Sequence, residues 1–132
     1  MKNEVKDIIG KAERALKSAD REMALGNLDF ACSRAYFAVI YLVQGVLLMD
    51  GHSYSHHRDI IAQFSTHYVQ KKVFDVEVLK HIKFLAKRRE LADFSFSLII
   101  YSEEASQCML RAKNVHSVLS PYLKDRLFKI AD

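Results

Sequence analysis

Residues 29–50 read DFACSRAYFAVIYLVQGVLLMD and decide the fold. Apolar side chains surround this predicted helix on nearly every side, and Asp29 is its expected N-terminal cap. A helix of this kind lies at the centre of a bundle or between a bundle and a dimer partner. We predict both positions, and hence a homodimer. Its longest apolar run, residues 35–49, is about 15 residues long, shorter than the roughly 20 residues of a membrane span. We therefore predict no membrane association.

Helical periodicity continues through the rest of the chain. It predicts helices over residues 3–24, 56–70, 75–93 and 102–119, and a terminal helical turn over 121–130 that Pro121 starts afresh. Gly26 is expected to end the first helix, while Ser55 and Asp75 are expected to cap the third and fourth. Residues 94–101 are expected to form a loop packed on the bundle. The sequence therefore predicts an all-α, up-and-down bundle of four or five helices in a single domain, residues 1–132.

Composition and charge narrow the class of protein. Half of the 132 residues are apolar, 20 basic residues face 16 acidic ones, and the net charge is +4. This mild excess permits binding to a nucleotide or nucleic acid but does not require it. Cys32 and Cys108 fall within apolar helical patterns and form no metal-binding or redox spacing. We expect them to be reduced and buried in a cytoplasmic protein.

Two short motifs place charged residues within otherwise apolar helical stretches. They are Ser33-Arg34-Ala35-Tyr36-Phe37-Ala38 and Arg89-Glu90-Leu91-Ala92-Asp93-Phe94. An unpaired charge buried there costs roughly several kcal/mol. We expect Arg34 either to pair with Asp93 inside the bundle or to line a cleft with it.

These motifs resemble those of the HEPN family of small helical domains. Residues 33–38 are similar to the "SRAYYA" motif of the family, and residues 89–94 to its "RxxADY" motif. Ser55-His56, followed by Ile60-Ile61 and Phe64, and the stretch from Ser102 to Ala105 resemble the family's helix starts in the same order. The resemblance implies a dimerising helical bundle, often paired with a minimal nucleotidyltransferase in a toxin–antitoxin system. It also implies that some members are metal-independent ribonucleases, in which an Arg holds the phosphate and a His, separated from it by four to six intervening residues, moves a proton.

This chain departs from that catalytic spacing. No His occupies positions 94–96 after Arg89, and Phe94 stands where the family has a Tyr that a nucleotidyltransferase can modify. Arg111 and His116 match the spacing, but they lie in the last predicted helix and point about 140° apart, so we expect an exposed pair and no site. We predict no metal site and no cofactor. The candidate ligand-binding residues are Arg89, Asp93, Arg34 and His56.

We therefore predict a nucleotide- or RNA-binding module of a toxin–antitoxin or stress-response system, with a binding role favoured over an enzymatic one. In this interpretation Arg89 and Asp93 line the cleft, Arg34 supports them and His56 lies at its edge. Two alternatives stay open. One is a metal-independent ribonuclease that uses Arg89 with His56, and the other is a structural helper for a partner protein.

Overall fold

The computed structural model describes residues 1–94, 96 and 99–130, and within these the regular secondary structure is entirely helical. The helices are α1 (Lys2–Leu25), α2 (Leu28–Met49), α3 (His57–Phe64), α4 (Val76–Phe94) and α5 (Ser102–Lys129). A π-helical turn, Ser65–Val69, continues α3 without a break. The predicted all-α bundle of four or five helices is confirmed.

Helix α2 is the centre of the bundle. Most of its 22 residues are buried, and it packs against α1, α3, α4 and α5. The helix is longer than the apolar run found in the sequence, and by length and composition it is long enough to cross a membrane. However, 72% of its most apolar stretch is buried inside the protein, as is usual for a core helix. Cys32 and Cys108 are also buried, and neither forms a disulfide.

Local sequence signals account for some helix ends and fail at others. Gly26 adopts a left-handed conformation (φ 81°) and ends α1 in a Schellman motif, in which its N–H donates to the carbonyl of Met23. Asp75 caps α4, because its Oδ1 accepts a 2.8 Å hydrogen bond from the N–H of Glu77. The predicted caps Asp29 and Ser55 are wrong, since α2 begins at residue 28 and α3 at residue 57.

The predicted break at Pro121 is also wrong, because α5 runs through it to Lys129. Proline removes one helical hydrogen bond at a cost of about 3 kcal/mol. The residues beyond it offset that cost, since Leu123 and Leu127 are both buried. A buried leucine contributes roughly 1.5–3 kcal/mol. Continuing the helix therefore stabilises the fold more than ending it.

The connection between α4 and α5 leaves apolar side chains in water. Residues 95, 97 and 98 lie outside the described residues. Of the rest, Ile100 is buried, whereas Phe96, Ile99 and Tyr101 are each more than 60% exposed. The expected packing of this loop on the bundle is therefore wrong for those three side chains.

Candidate functional site

Arg89 lies near the C-terminal end of α4 and pairs with Asp93 one turn later. Its Nε is 2.9 Å from Oδ2 of Asp93, and both side chains are about one quarter exposed (26% and 27%). The N–H of Nε does not point at the carboxylate, so this buried nitrogen is close to a charge but has no hydrogen bond from the described residues. Asp93 also accepts a long hydrogen bond (3.5 Å) from Ser33 on α2. The carboxylate thus joins α4 to α2 and holds the position of the arginine.

Three aromatic rings surround the guanidinium group of Arg89. Its central carbon is 5.6 Å from the ring centre of Tyr36, 5.2 Å from that of Phe37 and 5.5 Å from that of Phe94. Such cation–π contacts favour a fixed orientation of the planar group. Within the part of the chain that the structure describes, the terminal nitrogens of Arg89 have no hydrogen-bond partner. The arginine is therefore held by its faces while its donors stay available.

His57, at the start of α3, joins the same cluster through Tyr36. The hydroxyl group of Tyr36 is 2.9 Å from Nδ1 of His57, and Tyr36 is only 2% exposed. Burial raises the pKa of Tyr36 to about 12, although the charge of Arg89 opposes this shift. Burial, and secondarily the charge of Arg89, lowers the pKa of His57.

Both groups are consequently neutral at pH 7, and the direction of the hydrogen bond between them depends on the tautomer of the imidazole. A proton on Nδ1 makes His57 the donor, whereas a donating tyrosine leaves the imidazole proton on Nε2. The neutral histidine then offers one N–H donor.

These side chains line a cleft of about 390 Å³ between α2, α3 and α4. Tyr36, His57, Arg58, Arg89 and Phe94 all line it. A fixed arginine, a second exposed arginine (Arg58), a neutral imidazole, an exposed ring and the exposed carboxylate of Glu90 form its walls. Arginine donors recognise phosphate oxygens, and aromatic faces stack on nucleobases. The cleft can therefore bind a phosphorylated ligand that has an aromatic base.

The structure brings together only some of the predicted site residues. Arg89 and Asp93 lie side by side, as the predicted cleft requires. Arg34 is exposed on the other side of α2, and among the described residues it forms no ion pair with Asp93. The expected internal pair of Arg34 and Asp93 is therefore wrong, because the partner of Asp93 is Arg89.

The histidine of the cleft is also one residue later than predicted. His56 is exposed and precedes α3, whereas the ring of His57 turns into the cleft. Sequence reasoning missed both His57 and Tyr36 as members of the site. One feature of the sequence could have indicated them, namely the tyrosine in the motif at residues 33–38. A tyrosine in a buried helix needs a hydrogen-bond partner for its hydroxyl group, and a nearby histidine can provide one.

Arg111 and His116 do not form the predicted exposed pair. Both are half-buried, and no hydrogen bond joins them in the described structure. Arg111 instead lies 4.0 Å above the ring of Phe84, and its Nη1 is 3.3 Å from Nδ1 of His81. This cluster between α4 and α5 resembles the Arg89 cluster in its chemistry and provides a matched control for it.

No group of three or more His, Cys, Asp or Glu side chains that could hold a metal ion occurs among residues 1–94, 96 and 99–130. This finding covers the three neighbouring histidines before and at the start of α3, which are His52, His56 and His57. His52 instead stacks on His67 with a ring separation of 4.7 Å.

Comparisons with known proteins agree with this architecture. Residues 5–122 match the family model of the HEPN domain. The chain is 29% identical over 104 residues to a Methanocaldococcus jannaschii protein named "Putative toxin", a match that covers 79% of this chain and 71% of that protein. It is 30% identical over 87 residues to a Thermotoga maritima protein named "UPF0332 protein", with 64% and 65% of the two chains covered.

Two crystal structures share the fold. One is a Thermus thermophilus protein, with a TM-score of 0.74, 18% identity, and coverage of 90% of this chain and 98% of that chain. The other is an archaeal HEPN homologue, with a TM-score of 0.71, 21% identity, and coverage of 90% and 97%. At these identities the similarity establishes the helical arrangement alone.

Proposed function

Because the chain belongs to the HEPN family, we propose that it is a nucleotide- or RNA-binding module of a toxin-related or stress-response system, acting in the cytoplasm. The observation that carries this proposal is Arg89, which three rings hold in place while its terminal donors have no hydrogen-bond partner among the described residues. The relative named "Putative toxin" supports the toxin-related part.

In this proposal Arg89 donates to two oxygens of a phosphate group. Asp93 keeps the arginine in position, and Arg58 at the rim adds a second positive charge. Phe94 is 68% exposed and offers a face on which a base can stack. The Nε2–H of His57 supplies a neutral donor for a hydroxyl or carbonyl oxygen of the ligand. These residues bind and orient, and binding by itself requires no proton transfer.

The test compares two half-buried arginines that both stack on rings. Binding of a fluorescein-labelled single-stranded RNA and of unlabelled mononucleotides is measured in EDTA for the wild type, Arg89→Gln and Arg111→Gln. Loss of charge-assisted hydrogen bonds worth about 1.5–3 kcal/mol predicts at least a tenfold weaker complex for Arg89→Gln. Arg111→Gln should bind as the wild type does. Equal loss in both variants, or no binding by the wild type, would contradict the proposal.

A second candidate function rests on the nearness of His57 to Arg89. Both line one cleft, so an Arg–His pair is present although it is not the pair that the family spacing implies. A metal-independent ribonuclease needs a base for the ribose 2′-hydroxyl proton and an acid for the departing 5′-oxygen. Cleavage of RNA in EDTA that disappears in both Arg89→Gln and His57→Ala would favour this function. RNA that binds but stays intact would favour the binding module.

We further propose that the protein is a homodimer and that a minimal nucleotidyltransferase is a partner. Phe96, Ile99 and Tyr101 are exposed apolar side chains in the connection that follows α4, and a second copy would remove them from water. Sedimentation equilibrium should give a dimer for the wild type and a monomer for Phe96→Ser/Ile99→Ser. A monomeric wild type would instead favour a structural helper, in which a partner protein covers these side chains.

A further inference from the structure

A second basic surface lies on the opposite side of Phe37 from the Arg89 cleft. Lys11, Arg14 and Arg21 on α1 and Arg34 on α2 line a groove of about 480 Å³ that also includes Phe37. All four basic residues are exposed, and no carboxylate is among the lining residues that the structure describes. We name this surface the α1–α2 groove.

Two of the carboxylates of α1 are turned away from this groove. Glu13 pairs with Lys124 at 3.0 Å, and Asp20 pairs with Lys113 at 3.1 Å, so both face α5. The carboxylates of Glu13 and Asp20 are thus neutralised against α5, whereas Lys11, Arg14 and Arg21 lie on the outer side of α1. Of the ion pairs found in the described residues, none involves a basic residue of the groove. Four positive charges in one groove without neutralising carboxylates create a local field that attracts an anion.

The spacing of these charges suits an extended polyanion better than a single phosphate. Lys11, Arg14 and Arg21 are three and seven residues apart, which places them along one face of α1. Ten residues of α-helix rise about 15 Å. Phosphates in one strand of a duplex are about 3.4 Å apart along the axis, and they are farther apart in an extended strand. The groove therefore spans about five phosphates at the duplex spacing and fewer in an extended strand.

Two aromatic rings of the groove favour a single strand over a duplex as the ligand. Phe37 and Tyr41 lie 5.9 Å apart in a stacked arrangement at the edge of the groove, and Lys11 is 5.0 Å above the ring of Tyr41. Unpaired bases can stack on such rings, whereas the bases of a duplex are already stacked. The ring of Phe37 also contacts the guanidinium group of Arg89 at 5.2 Å. The groove and the Arg89 cleft are therefore neighbours, separated by the side chain of Phe37.

We propose that the α1–α2 groove binds the phosphate backbone of a single-stranded RNA whose adjoining nucleotide occupies the Arg89 cleft. This inference rests on the proposed function and adds a requirement for ligand length. A mononucleotide or dinucleotide fills the cleft alone. A longer strand also meets Arg14, Arg21 and Arg34 and binds more tightly.

The experiment uses fluorescence anisotropy with fluorescein-labelled oligouridylates of two and ten nucleotides in EDTA, at several salt concentrations. The variant is Arg14→Gln/Arg21→Gln, and the control Lys71→Gln/Lys72→Gln removes two exposed charges from the turn before α4. We expect the variant to bind the decamer at least tenfold more weakly and to leave dinucleotide affinity unchanged. Each lost contact should reduce the salt slope by about 0.7, hence by about 1.4 in total. The control should stay within about twofold of the wild type.

Other outcomes separate this inference from the function on which it rests. Decamer binding that survives Arg14→Gln/Arg21→Gln but disappears in Arg89→Gln overturns the groove and leaves the proposed function standing. Equal weakening by the control variant overturns the groove, because the attraction is then unspecific. No binding of either RNA by the wild type overturns both. The side chains of Arg14 and Arg21 are exposed, so an unchanged thermal midpoint shows that the variant is folded.

Discussion

The hydrogen bond between Tyr36 and His57 should be detectable as a coupling energy between α2 and α3. Tyr36→Phe removes only the hydroxyl group, so the ring contacts with Phe37 and Arg89 persist. What is lost is the 2.9 Å bond to Nδ1 of His57. We expect the variant to fold normally and to be less stable.

The expected size of the effect follows from burial on the two sides of the bond. A neutral hydrogen bond contributes about 0.5–1.5 kcal/mol net, and an unpaired buried partner adds a further penalty. Tyr36 is 2% exposed, but His57 is half-buried, so water can reach part of its ring. The destabilisation should therefore be about 1 kcal/mol. For a chain of 132 residues, that free energy lowers the midpoint of thermal unfolding by about 3–4 °C.

A double-mutant cycle isolates this bond from other effects of the substitutions. Urea unfolding is followed by circular dichroism for the wild type, Tyr36→Phe, His57→Leu and the double variant. The coupling energy should be about 1 kcal/mol. Tyr41→Phe is the matched control, because Tyr41 lies on the same helix and its hydroxyl group forms no hydrogen bond to the described residues. It should change the free energy of unfolding by less than about 0.5 kcal/mol.

The reasoning fails if the coupling energy is below about 0.3 kcal/mol while Tyr36→Phe is as stable as the wild type. It also fails if ¹⁵N chemical shifts at pH 7 place the imidazole proton of His57 on Nδ1. In that tautomer the histidine would be the donor, and the neutral Nε2–H on which the proposed ligand contact depends would be absent.

Two further predictions concern the packing of α5 and the buried histidines. Leu123→Ala should lower the free energy of unfolding in urea by about 2–5 kcal/mol, because Leu123 is fully buried. The control Phe128→Ala, at a side chain that is 82% exposed, should change this free energy by less than about 0.5 kcal/mol. Similar small effects of both substitutions would mean that the helix ends at Pro121. Burial lowers the pKa of His57, His81 and His116, so below about pH 6.5 the unfolded chain binds protons that the folded chain does not. The contribution of these histidines to stability is complete above that pH and is lost as the pH falls through their folded pKa values. The free energy of unfolding should therefore decrease from pH 7.5 to pH 5.5. A smaller decrease in His116→Gln would attribute part of this loss to His116. A free energy that does not change with pH would argue against neutral imidazoles at these positions.

Local chemistry was sufficient to predict most of the helices. Helical periodicity depends on residues three or four positions apart, so a single sequence contains it. Gly26 ended α1 as expected, because a left-handed residue is most easily glycine. The ion pair of Arg89 with Asp93 was also accessible to such reasoning, since residues four apart share one face of a helix. At Pro121 the same reasoning gave a wrong prediction, because the packing of the leucines that follow outweighs the cost of a proline within a helix.

The sequence by itself determined an all-helical bundle around a central helix near residues 29–50 and the two motifs that belong to its site. Only the tertiary structure decided that Arg34 faces water beside α1 and that His57 meets Tyr36. These contacts join residues 21 or more positions apart or depend on which side of α2 a neighbouring helix covers. An apolar pattern sets how much of a helix is buried. The neighbours that pack on it decide which of its polar residues stay in water and which ones meet, because burial and pairing are properties of the packed surface.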